Sequence, residues 1–210
     1  VDPISEHYGV YPYYDCISFH PYVWSIDMED RDAYNGKLSG MADAVERYGG
    51  WKLLSITETG QSVYNGVKMN DGRYMTERDA ASKNLKQLIM AAPFGIEHVD
   101  LYQLMSDTVL EKKDPNNREH GFGIVRRHSD GTLVPQDSYI AIKEYSQQLS
   151  GAIFIGRMDL GENVYAYLYQ KDGLPKLVLW YYDPEYGKTT ISFEGEKLNS
   201  IDILGNISQT

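Results

Sequence analysis

The chain of 210 residues contains a single cysteine, Cys16, and its 20 basic residues are outnumbered by 30 acidic ones. One cysteine excludes an internal disulfide framework and a zinc site built from cysteines. The formal net charge of −10 argues against sequence-blind nucleic-acid binding, which depends on Lys and Arg to displace counterions. No apolar run approaches the ~18 residues of a membrane span. Neither a nucleic acid nor a membrane is therefore expected as a partner.

The sequence also lacks the motifs of several common enzyme classes. Its histidines show no metal-ligand spacing, and there is neither a P-loop nor a Gly-x-Ser-x-Gly nucleophile elbow. The Gly-Phe-Gly run at 121–123 has no third glycine and so is not a dinucleotide fingerprint. The acidic residues Asp27, Glu29, Asp30 and Asp32 are predicted to form a solvated loop in preference to a calcium site. We expect no metal and no cofactor.

Tyrosine is unusually frequent, with 18 residues against five phenylalanines. Tyrosine suits surfaces that stack on sugar rings and hydrogen-bond to them. It also fills β-strands well, so composition alone leaves both roles open.

Residues 15–150 alternate between short apolar runs and helical patterns. Strands are predicted at 15–22, 51–58 and 98–104. One helix carries its apolar face on Leu38, Met41, Ala42 and Val45, one begins at an N-cap on Thr76, and one is capped by Asp137 after a long polar loop at 106–136. This order predicts parallel strands joined by helical crossovers. The sheet is either doubly wound or part of a (β/α) barrel.

Residues 151–210 have a different pattern, and we place the boundary near Ser150 and Gly151. Five short β-like runs are predicted at 152–158, 164–169, 176–182, 188–193 and 198–204. The turns between them carry Gly, Asp and Pro, which is typical of a small antiparallel β-sandwich.

Glu58 is the strongest candidate for chemistry, because it ends a predicted strand just before Gly60. Function in parallel α/β proteins collects at that end of the strands. A carboxylate there is costly unless it is used or paired, so a structural ion pair is the alternative. His20 and Tyr22 end the preceding strand. Strand alternation places His20 with Cys16 and Ser18, opposite the apolar Ile17 and Phe19.

The third predicted strand carries polar residues where apolar ones are expected. Tyr102 and Gln103 lie near its end, and the alternation does not decide which of them faces a site.

These segments resemble strands six, seven and eight of the clan A glycoside hydrolases, which are (β/α)8 barrels, most closely in the manner of families 39 and 5. The matching segments are Asp-Cys-Ile-Ser-Phe-His-Pro-Tyr at 15–22, Leu-Ser-Ile-Thr-Glu-Thr-Gly at 54–60 and Val-Asp-Leu-Tyr-Gln-Leu at 99–104. The stretch 123–142 is similar to the connection from strand eight to helix eight. The resemblance implies the C-terminal part of a TIM barrel in residues 1–150, followed by a β-sandwich accessory domain in 151–210.

The resemblance also implies an activity, which is retaining glycoside hydrolysis of an oligosaccharide or polysaccharide. Glu58 matches the nucleophile of the clan, and His20 and Tyr22 match the His-x-Tyr that lines the adjoining sugar subsite. Tyr102 stands where the clan often has a tryptophan under the sugar. Trp24 and Tyr64 lie in loops at the same end of the barrel, where they either stack on sugar rings or pack within the loops.

Two departures from the clan matter. The Asn-Glu-Pro that carries the acid/base is absent, and so are strands one to four, because residues 1–14 supply only the connection into strand six. A barrel needs about 250 residues, and three strands alone leave open sheet edges. We therefore expect the acid/base on a missing N-terminal half of the barrel, in the same or a separate chain. A secreted or periplasmic location fits this reading, and a cytoplasmic one is left open.

Two rival hypotheses remain open. One is a carbohydrate-binding or scaffold relative of the same barrel that has lost catalysis. The other is an unrelated α/β enzyme such as an aldolase or amidase, which needs a Schiff-base Lys or a nucleophilic Cys at a strand end. Cys16 lies at the start of its strand, and no Lys ends a predicted strand.

Overall fold

The structure of the protein is a computed structural model that describes residues 14–24, 27–29, 33–49, 52–66, 68–69, 71–183, 187–194 and 199–209. The α-helices are α1 (Ala33–Gly49), α2 (Glu77–Ala91) and α3 (Asp137–Leu149). The strands are β1 (Cys16–Phe19), β2 (Leu53–Thr59), β3 (His98–Leu101), β4 (Met105–Val109), β5 (Val125–Arg127), β6 (Leu133–Pro135), β7 (Ile153–Met158), β8 (Val164–Lys171), β9 (Leu174–Tyr181), β10 (Asn199–Ile201) and β11 (Ile207–Gln209). Three short 3₁₀ turns lie at Ala92–Phe94, Leu110–Lys112 and Glu119–Gly121.

The first three strands form a parallel sheet in the order β1-β2-β3, with α1 and α2 in the connections. Ile17 and Phe19 pack against the apolar core, whereas Cys16 and Ser18 are exposed on the opposite face. The alternation predicted for the first strand is therefore confirmed. The second face of the sheet is open, and Leu53 on it is 71% exposed.

The chain is thus a mixed α/β protein with three α-helices and four small sheets among the described residues. The parallel crossovers expected from the sequence are present. The strands of the described ranges do not close into a barrel.

One apolar core joins the helices to two of the sheets. Leu38 and Val45 of α1 are buried in it, as the helical spacing predicts. Leu149 at the end of α3 and the tyrosines Tyr167 and Tyr169 of β8 belong to the same core. The core therefore continues past position 150, and the domain boundary proposed there stays a prediction.

The prediction of one long polar loop at 106–136 is wrong. This stretch contributes to a three-stranded sheet in which β4 pairs parallel with β5 and β5 pairs antiparallel with β6. The strands are only three to five residues long. Such short strands carry no readable two-residue periodicity, and their pairing depends on contacts distant in sequence.

The five strands predicted in 151–210 are confirmed in part. Strands β7, β8 and β9 form an antiparallel sheet close to the predicted positions. The described residues 188–193 are not in a strand, and the run 198–204 contributes only β10, which pairs with β11. A β-prone run becomes a strand only where a partner edge is available.

Two predicted helix starts have different outcomes. Thr76 is the N-cap of α2, and its side chain and that of Asp79 form a complete capping box. Asp137 is not a cap: it is the first residue of α3, and Gln136 occupies the cap position without a side-chain bond. An acidic residue in the first turn still complements the helix dipole. No helix in the described part of the chain has the length and apolarity needed to span a membrane.

The capping box makes stability depend on acid pH. Burial acts to raise the pKa of Asp79, but hydrogen bonds from Arg73 and Thr76 outweigh it and lower that pKa to about 2, from an ordinary value of 3.8. The stabilisation is present above pH ~4 and is lost as the pH falls through about 2. We expect Asp79→Asn to lower the free energy of unfolding at pH 5. In the variant this free energy should also fall less steeply between pH 4 and 2, as measured by urea titrations. An unchanged slope of unfolding free energy against pH would contradict this role of Asp79.

The prediction of a solvated acidic loop is also wrong for the residues that the structure describes. The Glu29 side chain is fully buried, with Lys86 Nζ 2.5 Å from its Oε1. Trp180 Nε1 donates to the same oxygen at 2.6 Å. Asp27 pairs with the buried Lys83 at 3.5 Å. Asp30 and Asp32 lie outside the described residues.

Candidate active site

Glu58 reaches the open face of the sheet because β2 contains an irregularity near its end. Leu54 and Ile56 both lie in the core, so strict alternation would turn Glu58 toward the core as well. The pairing with β3 shifts between Ile56 and Thr59, which inserts one extra residue in β2. Such bulges re-aim side chains beside active sites, and here Thr57 and Glu58 both contact His20.

His20 holds the Glu58 carboxylate from the end of β1. Its Nδ1 lies 2.9 Å from Glu58 Oε2, and its Nε2 lies 3.2 Å from Thr57 Oγ1. A carboxylate can only accept, so Nδ1 carries the donating proton. This contact fixes the tautomer of His20 and the direction of the carboxylate together.

Tyr22 supplies the second hydrogen bond to Glu58. Burial, together with this bond and the charge of Glu58, strongly raises the pKa of the Tyr22 hydroxyl. The hydroxyl therefore stays protonated and donates. Two donors from the end of β1 thus converge on one carboxylate at the end of β2, which preorganises Glu58.

Four aromatic rings surround this carboxylate. Tyr22 and Trp24 stack with their centroids 4.3 Å apart. Phe122 is almost fully buried, and its ring packs in T-shaped geometry with Tyr22, Trp24 and Tyr102 at centroid distances of 6.3, 5.6 and 4.9 Å. Aromatic side chains beside a few polar groups are the usual lining of a small-molecule site.

A cleft of about 120 Å³ opens between these groups. Its lining residues are Tyr22, Trp24, Glu58, Tyr102, Arg118, Glu119 and Phe122. A larger groove of about 480 Å³ at the β7–β8 turn contains none of the predicted site residues. The smaller cleft is the better candidate because it holds an oriented carboxylate among aromatic rings.

Four of the predicted site residues line this cleft, and His20 joins them through its bond to Glu58. Tyr64 and Gln103 do not line it. Tyr64 packs against Gly66 in the loop after β2, and the backbone oxygen of Gln103 accepts from Ile124 N at 3.0 Å. The ambiguity at the end of β3 therefore resolves to Tyr102.

Sequence reasoning missed Arg118, Glu119 and Phe122. All three lie in the segment predicted to be one polar loop, and no spacing rule connects them to Glu58. The glycines on either side of Phe122 were the sequence signal that could have identified this segment. A Cβ at Gly121 would lie 2.2 Å from Ser62 Oγ, and one at Gly123 would lie 2.4 Å from Ser106 N, so both positions mark close packing of this segment.

Gly60 sets the distance between the ends of β2 and β3. A Cβ at this position would lie 2.2 Å from the backbone oxygen of Tyr102, whose amide donates to Thr59 O at 2.6 Å. We expect Gly60→Ala to displace Tyr102 from the cleft and to cost about 1–3 kcal/mol of unfolding free energy. Urea unfolding measures the loss.

Gly36→Ala is the matched control for this substitution. Gly36 lies in α1, and nothing approaches within 4 Å of its added Cβ. Alanine there should stabilise the helix by about 0.5–1 kcal/mol. Equal effects of the two substitutions would contradict the close approach at Gly60.

Glu119 extends the hydrogen bonding along the cleft. Burial and the nearby Asp107 and Glu119 carboxylates raise the pKa of the Tyr102 hydroxyl, which donates to Glu119 Oε2 at 3.4 Å. Arg118 Nε donates to Glu119 Oε1 at 3.0 Å. The Arg118 guanidinium also lies 5.3 Å from the centre of the Trp24 ring.

The described residues bring no three His, Cys, Asp or Glu side chains together as a metal site would require. The polar groups at the cleft are two carboxylates, two phenols, one guanidinium and the indole of Trp24, with the His20 imidazole behind Glu58. No protein-family model matches the chain, and neither does any curated protein.

Proposed function

We propose that this protein is a retaining glycoside hydrolase in which Glu58 is the nucleophile. The observation that carries the proposal is the Glu58 carboxylate, held by His20 and Tyr22 at the carboxyl end of a parallel strand. It faces a cleft lined with aromatic rings. The resemblance of residues 15–22, 54–60 and 99–104 to strands six to eight of the clan A hydrolases supports the same role.

The reaction follows the double displacement of retaining glycosidases. Glu58 attacks the anomeric carbon as the bond to the leaving oxygen breaks, and an acid protonates that oxygen. The resulting glycosyl ester on Glu58 is then attacked by a water, whose proton passes to the same group, now acting as a base. The ester bond breaks and Glu58 is regenerated. Tyr22 and His20 orient the Glu58 carboxylate for its attack. They donate hydrogen bonds to it again once the ester has been hydrolysed.

The fold that we propose is strands six to eight of a (β/α)8 barrel, followed by a small antiparallel β-sandwich in residues 151–210. The open face of the parallel sheet supports the first part, because Cys16, Ser18 and Leu53 are exposed where a barrel interior would cover them. The strands at both edges, β1 and β3, pair only with β2 among the described residues. The acid/base Glu then lies on the other half of the barrel, on the same or a separate chain.

The stereochemistry of the product tests the proposed reaction. The protein is purified with any bound partner and assayed against a panel of 4-nitrophenyl glycosides. ¹H NMR during the first turnovers should show a hemiacetal with the anomeric configuration of the substrate. A product of inverted configuration would overturn the role of Glu58, because inversion needs no carboxylate nucleophile.

The intact mass of the active species tests the proposed second half. We expect a chain heavier than 23.9 kDa, or a second chain that co-purifies with the activity. A single species of 23.9 kDa that hydrolyses glycosides alone would contradict the placement of the acid/base on another part of the barrel.

A non-catalytic carbohydrate-binding protein is the second candidate. The stacked Tyr22 and Trp24 rings and the polar Arg118 and Glu119 line the cleft without requiring a reaction. Sugar binding without turnover in the complete assembly would favour this function over hydrolysis.

A further inference from the structure

Glu119 shares the cleft with Glu58 but is held quite differently. Its side chain is 43% exposed, and it reaches the cleft from the 3₁₀ turn Glu119–Gly121. Glu58 is bound by an imidazole and a phenol at a strand end. Glu119 is bound by a guanidinium and a second phenol. The two carboxylates of the cleft therefore differ in their hydrogen-bond donors, and we expect them to have different roles.

The turn that carries Glu119 is fixed to the loop after β2. Ser62 Oγ donates to the backbone oxygen of Arg118 at 2.6 Å, and Val63 N donates to Gly121 O at 3.1 Å. The amide of Glu119 itself donates to Asn117 Oδ1 at 3.0 Å. A carboxylate on such a tied turn is preorganised in the way that specific ligand recognition needs.

Glu119 retains acceptor capacity toward the cleft. A carboxylate offers about four acceptor sites. Among the described residues one donor is seen on each oxygen, Arg118 Nε on Oε1 and the Tyr102 hydroxyl on Oε2. Sugar hydroxyls on neighbouring carbons can donate to the two oxygens of one carboxylate. The Trp24 and Tyr102 rings, which both pack on the buried Phe122, line the cleft with Glu119 and provide the apolar surface against which a sugar ring packs.

The same arrangement disfavours an acidic sugar. Among the described residues that line the cleft, Arg118 carries the only guanidinium, and it pairs with Glu119 through Nε and covers the Trp24 ring. His20 is engaged by Glu58 and Thr57. Two carboxylates in the cleft would repel the carboxylate of a uronic acid, and the charge of Glu119 offsets that of the adjacent Arg118.

We propose that Glu119 is a specificity-determining residue, which accepts hydrogen bonds from the hydroxyls of a neutral sugar beside Glu58 and excludes uronic acids through its charge. This inference rests on the proposed function in so far as the cleft binds a sugar. It does not require that Glu58 react. It names the substrate class of the site as neutral glycosides.

Binding measurements on the full chain, with any partner that co-purifies, test this inference. The probes are cellobiose, xylobiose and mannobiose, singly deoxygenated forms of the best ligand, and the matching disaccharide with a uronic acid, all titrated by calorimetry. Wild-type protein should bind a neutral disaccharide at least about 10-fold more tightly than one of its deoxygenated forms, as expected for a lost hydrogen bond to a charged group. It should also bind the neutral disaccharide at least about 10-fold more tightly than the disaccharide with a uronic acid.

Glu119→Gln keeps the shape of the side chain but removes its charge. We expect it to weaken binding of the neutral disaccharide about 10- to 100-fold and to abolish the penalty for the deoxygenated form. Binding of the uronic acid should improve, because one negative charge beside Arg118 is removed. Glu162→Gln, at an exposed position of the β7–β8 turn, is the matched control and should leave all three affinities unchanged. Thermal unfolding of both variants verifies that they are folded.

Unchanged selectivity in a folded Glu119→Gln protein would overturn the inference, as would a wild-type protein that binds no neutral disaccharide or prefers the uronic acid. Failure of this inference can be distinguished from failure of the proposed function. If Glu58→Gln abolishes turnover while Glu119→Gln leaves selectivity unchanged, only the role of Glu119 fails. If turnover does not depend on Glu58 but selectivity depends on Glu119, only the proposed reaction fails.

Discussion

Glu58→Gln is expected to lower the rate of glycoside hydrolysis by at least about 10⁴-fold, because an amide cannot form the glycosyl ester. That factor corresponds to ~5.5 kcal/mol of lost transition-state stabilisation. The fold should persist, since glutamine keeps an oxygen that can accept from Tyr22 or His20. Initial rates on the best 4-nitrophenyl glycoside, together with thermal unfolding, measure both effects.

Two further variants sharpen this experiment. Glu97→Gln removes an exposed carboxylate just before β3 and should leave the rate unchanged. Glu58→Ala leaves space for azide, which should restore turnover and give a glycosyl azide of inverted configuration. A Glu58→Gln protein that is folded and retains the wild-type rate would remove Glu58 from the mechanism.

Glu29→Ala is expected to destabilise the protein by about 3–5 kcal/mol, the usual cost of breaking one partner out of a buried ion pair. Glu29 is fully buried, and the Lys86 side chain that pairs with it is 18% exposed. Truncation leaves the Lys86 ammonium without this carboxylate and removes the acceptor of Trp180 Nε1. Urea unfolding by circular dichroism and by tryptophan fluorescence measures the change.

A surface pair supplies the matched control. Glu111 Oε1 lies 2.6 Å from His128 Nδ1, and both side chains are more than 40% exposed. Exposed ion pairs contribute about 0–1 kcal/mol to the free energy of unfolding. Glu111→Ala should therefore cost far less than Glu29→Ala. A double replacement of Glu29 and Lys86 by methionine should recover much of the loss, because it leaves no charge uncompensated. A Glu29→Ala cost below that of Glu111→Ala would contradict the buried network.

The parallel sheet could be predicted because its information is local. Alternation separates Ile17 and Phe19 from Cys16 and Ser18 within four residues, and the Thr76 capping box lies within one helical turn. These features need no partner distant in sequence. The same locality allowed Glu58 to be chosen as a strand-end carboxylate.

The orientation of Glu58 could not be predicted in the same way. Simple alternation from Leu54 and Ile56 turns it toward the core, and only the irregular pairing with β3 reverses this. A bulge depends on the register of the neighbouring strand, which the sequence of β2 does not contain. Glu58 was thus chosen without the feature that turns its side chain toward the cleft.

Long-range contacts explain the remaining differences. Glu29 looks like part of a solvated acidic run, but its partner Trp180 lies 151 positions further along the chain. Glu119 looks like an ordinary loop residue until Tyr102 and the turn around Gly121 bring it to the cleft. Both side chains are placed by tertiary packing, for which no local pattern exists.

Covalent labelling tests the central claim most directly. The protein, with any partner that co-purifies, is incubated with 2-deoxy-2-fluoro glycosides that carry a good leaving group, and the trapped ester is located by peptide mass spectrometry. We expect one fluoroglycosyl group per chain, on Glu58, and none on the Glu58→Gln variant. A label on any other carboxylate, or turnover of the natural glycoside with no trapped ester, would contradict it.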